Sequence, residues 1–139
     1  MTMTIELHLK IVGIVLITLG LAHGAFSKRF NWKTDLAKLS LMNRQMFLVH
    51  SFFIGLVLVL MGGVSLFYTH VLLQPAPLSR LVLAGTVVFW LCRWFIQFFV
   101  YDSALWRGNR FNTFMHVLFS LFWTYAVCTY FFAAKQVWH

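Results

Sequence analysis

The chain has 139 residues, of which 61% are hydrophobic and 10% charged, and its formal net charge is +8. That balance excludes an ordinary water-soluble domain, and the length leaves room for one domain only. The basic residues sit beside apolar stretches and not in a soluble basic module, so they point to lipid headgroups and membrane topology and exclude nucleic acid as a partner.

Four stretches meet or approach the roughly 20 mainly apolar residues that cross a hydrocarbon core. The sequence therefore predicts an all-α integral membrane protein, a four-transmembrane-helix up-down bundle forming one domain over residues 1–139, with spans at approximately 5–26, 43–68, 81–107 and 111–134. In the first span Glu6 and Lys10 stand four apart near its start, a spacing that favours pairing. The run Ala22-His23-Gly24-Ala25 loosely resembles a signal-peptide cleavage site, but the acidic residue upstream and the basic segment downstream argue against cleavage.

The connection from Phe26 to Asn43 is basic, and Trp32, Leu36 and Leu39 outline a short amphipathic surface helix with Thr34 as its N-cap. A solvated basic loop on the headgroups is the plainer alternative. In the second span Ser51, Gly55 and Gly62 share a face that admits close approach of a neighbouring helix, as Gly20 and Gly24 do on the first. Pro75 and Pro77 end the second span and separate it from the third.

The third span, Leu81 to Arg107, carries an arginine in its interior. At helical spacing Thr86, Trp90, Arg93, Gln97 and Tyr101 form one stripe, with Leu83, Val87, Ile96 and Phe99 largely off it. Gly108 and Asn109 read as a helix stop and the next helix cap. The fourth span repeats a polar residue every fourth position, at His116, Ser120, Thr124 and Cys128. Cys92 and Cys128 fall at different depths, so no disulfide between them is expected. Trp32, Trp106, Trp123 and Trp138 read mainly as an interfacial belt or lipid-facing residues.

Seven of the eleven basic residues, Lys28, Arg29, Lys33, Lys38, Arg44, Arg107 and Arg110, fall on one side of the membrane. By the positive-inside rule that side is cytoplasmic, both termini lie on the non-cytoplasmic side, and the host bilayer is a cytoplasmic (inner) membrane. With that topology His23, His50 and His116 share one layer roughly 5 Å inside the membrane, with Gln97, Tyr101 and Asp102 nearby and Arg93 a turn deeper. Ionisable groups in a span are costly and face partners or a cavity, and only three acids are available to Arg93 anywhere in the chain.

The leading functional expectation is a structural or accessory membrane subunit whose polar cluster fixes helix register. The alternatives are a haem or transition-metal redox site and a site for a quinone, lipid or small solute. Haem would use facing histidines, with Gly20, Gly24 and Gly55 leaving space for the macrocycle, and a non-haem metal would use His23, His50, His116 and Asp102. A quinone or lipid head would meet Arg93, Gln97, Tyr101 and the histidines. The partners expected are the lipid bilayer and other membrane subunits. No nucleotide loop, activated serine or paired carboxylates occur, so an enzymatic role is not favoured.

Overall fold

The computed structural model describes the backbone of residues 2–139 and the side chains of residues 4–25 and 28–139. Regular structure among the described residues is entirely helical: α1 Thr2–Arg29, α2 Trp32–Leu36, α3 Leu41–Phe67, α4 Thr69–Leu72, α5 Pro77–Phe99, a 3-10 turn Ser103–Leu105, and α6 Arg110–Trp138. Four stretches, Thr4–Ala25, Leu41–Phe67, Pro77–Phe99 and Arg110–Trp138, are long and apolar enough to cross a membrane. The shortest has 22 residues, or about 33 Å at helical rise. Their outward faces bear large exposed apolar side chains such as Phe52, Phe53, Leu81, Leu121 and Phe132. Water would penalise such continuous apolar surface, whereas lipid chains accept it.

The chain groups into two compact units, one of residues 9–69 and one of residues 70–139 together with the first turns of α1 through His8. In the first unit α1 and α3 touch backbone to backbone. A Cβ added at Gly13 would lie 2.8 Å from the Gly62 carbonyl oxygen, and one at Gly20 would lie 2.7 Å from that of Gly55. Moving seven residues forward on α1 moves the contact seven residues back on α3, which makes the pair antiparallel. The heptad spacing keeps both glycines of each helix on one face, because seven residues are close to two turns. Gly13 thus joins the expected small-residue seam. Gly24 does not, since nothing lies within 4 Å of the Cβ it lacks.

The connection between α1 and α3 contains the amphipathic segment, but only five residues of it are helical. Asn31, in the left-handed region at φ 51°, stands at the cap position. Thr34 lies inside the helix and donates its hydroxyl proton to Asn31 Oδ1 at 3.3 Å, so the expected Thr34 cap is corrected to Asn31. Leu36 is buried, Leu39 is exposed, and Trp32 meets Phe47 edge to face. The exposed Lys38–Asp35 pair, at 3.9 Å, contributes little in water.

The second unit is built on a second antiparallel pair. Pro77 opens α5, where its missing N–H costs nothing and its fixed φ suits the first turn. At one end Arg80 Nε donates to the Val137 carbonyl at 3.2 Å; at the other Gln97 meets His116. The buried face of α5 follows Ser79, Leu83, Trp90 and Gln97, and that of α6 follows Trp123, Ala126, Thr129, Tyr130, Ala133 and Val137. Leu83 is fully buried on the same side as Trp90, which corrects its expected placement off the stripe.

Two further expectations change. Helix α5 ends at Phe99, eight residues before Arg107. Both the Val100 and Tyr101 N–H groups donate to the Ile96 carbonyl, and Asp102 accepts from Ala104 N at 2.8 Å to start the 3-10 turn. Side-chain capping at Asp102 offers the backbone an alternative to further α-helix. Asn109 does cap α6, accepting from Asn112 N at 3.1 Å, and Gly108 has φ +83° in the turn before it. The second change is to the polar stripe of α6. Every fourth residue drifts about 40° around a 3.6-residue helix, so Thr124 and Cys128 are exposed while the buried seam keeps 3–4 spacing. Ser120 and Thr124 instead donate to the carbonyls of His116 and Ser120, at 2.7 and 2.8 Å.

The backbone contacts of the first unit fix the sign of glycine substitutions. Gly62→Ala places a methyl 2.6 Å from the Gly13 carbonyl oxygen and is expected to cost about 1–3 kcal/mol, despite alanine's better helix propensity of about 1 kcal/mol. Gly63→Ala, with open space around it, is expected to be neutral or stabilising. Reversible SDS unfolding of the two variants measures both; equal stabilities would refute the close contact.

Candidate functional site

Arg93 lies six residues before the end of α5, about 9 Å along the axis. Its Nη1 donates to Gln97 Oε1 at 3.0 Å. One turn on from Arg93, Gln97 is buried, and its Nε2 lies 2.8 Å from His116 Nδ1 on α6. These two contacts among three residues define a polar relay between the helices.

Elementary hydrogen-bond chemistry orients every member. A guanidinium has donors only, so the amide must turn its oxygen to Arg93 and its NH2 to His116. His116 Nδ1 then accepts, which leaves the ring proton on Nε2. Fixed in this way, the relay presents the remaining Arg93 N–H groups and the His116 Nε2–H.

Aromatic rings enclose it. The Arg93 Cζ lies 4.8 Å from the centroid of Trp123 and 5.6 Å from that of Tyr101, where the ring quadrupoles attract a cation. Trp123 in turn stacks on Trp90 with centroids 5.1 Å apart and planes 16° from parallel. Trp106 lies flat on His116 at 3.7 Å and 9°. The connecting loop holds it there: Asn112 Nδ2 donates to the Leu105 carbonyl at 3.0 Å, and Thr113 Oγ1 donates to the Trp106 carbonyl at 2.7 Å.

Donors outnumber acceptors in this cluster. Among the described residues Arg93 has one hydrogen-bond acceptor, a neutral amide oxygen, besides its two ring contacts. The indole N–H groups of Trp90 and Trp123 are buried and, among the described residues, have no acceptor. Trp94 differs, donating to Thr124 Oγ1 at 2.9 Å. Buried donors normally find partners, and orphaned ones are few in native proteins.

The structure therefore brings together Arg93, Gln97, Tyr101 and His116 and adds Trp106 and Trp123, two residues read from the sequence as belt or lipid-facing. Trp123 was discoverable: it lies seven residues after His116, on the same helix face. Trp106 was not, because a flat stack across a loop has no periodicity. Asp102 is not a relay member, because its carboxylate caps the 3-10 turn.

His23 and His50 belong to the other unit. Their Nδ1 atoms donate to the carbonyls of Leu19 and Met46, at 2.9 and 2.7 Å, each one turn back in its own helix. His23 borders a cleft of about 470 Å3 beside Gly24 and Trp32, whereas His50 is exposed. Gly20 and Gly55, expected to clear space for a macrocycle, are occupied by the contact of α1 with α3. Among the described residues no three His, Cys, Asp or Glu side chains form a group that could hold a metal ion, so neither unit gathers the expected set from His23, His50, His116 and Asp102. Both cysteines are free and exposed. Comparison with family models, curated proteins and solved structures returns no match to this chain.

The deduced relay makes a spectroscopic prediction. In the wild type, 15N NMR should show His116 protonated at Nε2 and bare at Nδ1. In Gln97→Glu the carboxylate has no proton to donate, so His116 should become protonated at Nδ1. Gln97→Leu removes both contacts and should lower stability by about 1–3 kcal/mol through the donor and acceptor left unsatisfied. An unchanged His116 signal in Gln97→Glu would break the relay assignment.

Proposed function

We propose that this is a multi-pass membrane protein whose Arg93 cluster binds the oxygen-bearing head of a membrane amphiphile. Its four helices cross a cytoplasmic membrane up and down in chain order, with both termini on the non-cytoplasmic side. The observation that carries the binding reading is the donor surplus around Arg93: a permanent charge on a spanning helix, served among the described residues by one neutral oxygen and two ring faces. A ligand made of acceptors, such as a quinone carbonyl or a lipid phosphate or carboxylate, would complete it. Charge-assisted bonds to such a head are stronger than neutral ones, and the aromatic walls suit a flat or apolar body.

The accessory-subunit reading has its own support, because the relay also ties α5 to α6. Titrating detergent-purified protein with a short-chain benzoquinone or with phosphatidylglycerol, read by tryptophan fluorescence, separates the two. Arg93→Gln is expected to weaken binding of one of these about tenfold or more, from the loss of about 1.5–3 kcal/mol for a charged hydrogen bond, while Arg93→Lys falls between. Unaltered binding of both probes in a folded Arg93→Gln protein would sink the ligand reading; lost assembly with a co-purified subunit would favour the accessory one. For the topology, periplasmically active reporters are expected to work when fused after His139, and cytoplasmic activity there would reverse it.

A further inference from the structure

At the far end of the same helix pair lies a cleft of about 590 Å3 bordered by Ile5, His8, Phe132, Lys135, Gln136 and His139. Phe132, Lys135 and Gln136 of α6 and its cap residue His139 recur at i, i+3, i+4 and i+7, so they lie along one stripe at the end of the helix. Ile5 and His8, both in the first turns of α1, belong to the same unit. We infer that this cleft is a binding site for an anionic phospholipid of the surrounding bilayer, with the phosphate at Lys135 and the start of an acyl chain against Ile5 and Phe132.

Three observations support that occupant. The cleft lies where the first and last of the spanning stretches end, the level at which headgroups meet hydrocarbon. Its lining is apolar toward Ile5 and Phe132, and the polar side chains are one cation, two histidines, an amide and a threonine, with no acidic side chain. Such a rim offers donors to a phosphodiester, which has acceptors only. Its geometry is also held in place. His8 Nδ1 and the Tyr125 hydroxyl share a hydrogen bond of 2.6 Å with their rings edge to face, anchoring the α1 side to α6. Arg80, the other cation of this unit at that end, is engaged with the Val137 carbonyl and the face of Trp138, which leaves Lys135 as the charged group of the cleft. The volume is within the roughly 300–1,000 Å3 of small-molecule sites. Lys135 and the Trp123 that faces Arg93 are twelve residues apart, about 18 Å along α6, so this site and the Arg93 cluster are separate.

Native mass spectrometry of the full chain, released from micelles containing equal phosphatidylglycerol and phosphatidylcholine, tests the inference. The wild type is expected to retain phosphatidylglycerol at least fivefold over phosphatidylcholine. Lys135→Gln should bring the two to parity, Lys135→Arg should keep the preference, and Lys33→Gln, which removes an exposed cation of the other unit, should leave it unchanged. Wild-type retention in Lys135→Gln would overturn the proposal, as would equal retention of phosphatidylcholine by the wild type. Displacement of the lipid by equimolar palmitate or inorganic phosphate would likewise overturn it by naming a different occupant. Loss of the preference in Arg93→Gln alone would place the lipid at the Arg93 cluster, supporting the proposed function and refuting this site.

Discussion

A guanidinium carries five N–H donors and no acceptor, and it keeps its charge in any protein environment. Arg93 places that group inside an apolar helix, where water is scarce and every unmade hydrogen bond is costly. Much of the second unit's construction answers this one demand. Gln97 is buried to supply an oxygen, Trp123 turns its face to the cation, and Trp90 stacks behind Trp123. The α5–α6 contact is polar at this end because the arginine is there, and it is aromatic because a ring face is one of the few acceptors that an apolar sequence can provide.

The other unit solves a different problem. Between two helices immersed in lipid there is little hydrophobic gain, since lipid tails are as apolar as leucine. Close packing takes its place, and the glycines at 13, 20, 55 and 62 let the backbones of α1 and α3 meet. One pair of helices is thus held by the absence of side chains and the other by aromatic bulk with a polar relay. The two strategies occur in one short chain, and each explains residues that composition alone leaves unexplained.

The four spanning stretches were legible in the sequence because length and apolarity decide them. So were the close approach at Gly20, Gly55 and Gly62 and the Asn109 cap, each of which rests on a local steric or hydrogen-bonding rule, whereas Pro77, read with Pro75 as a break before a span from Leu81, is the first residue of α5. Of the site, Arg93, Gln97, Tyr101 and His116 could be picked out as costly groups in an apolar setting. Their rotations could not. A histidine reads the same whether it faces a partner helix, as His116 does, or bonds its own carbonyl one turn back, as His23 and His50 do. The end of α5 was missed for a related reason: the run Phe98 to Leu105 stays largely apolar, and the helix stops because the Asp102 side chain captures a backbone N–H, a competition that hydropathy does not register.

The relay also explains why arginine, and not simply a positive charge, suits position 93. An amide is symmetric enough to turn either way, and in isolation Gln97 would offer His116 an oxygen as readily as an NH2 group. The donor-only guanidinium removes that freedom, and through the amide it dictates which nitrogen of His116 holds the proton. The charge on α5 therefore sets the chemistry of a ring on α6 without touching it. The imidazole offers its Nε2–H within the ring plane, and Trp106 covers one face of that ring. The result is a directed set of donors, arranged before any ligand arrives, so an acceptor head would meet little reorganisation cost on binding.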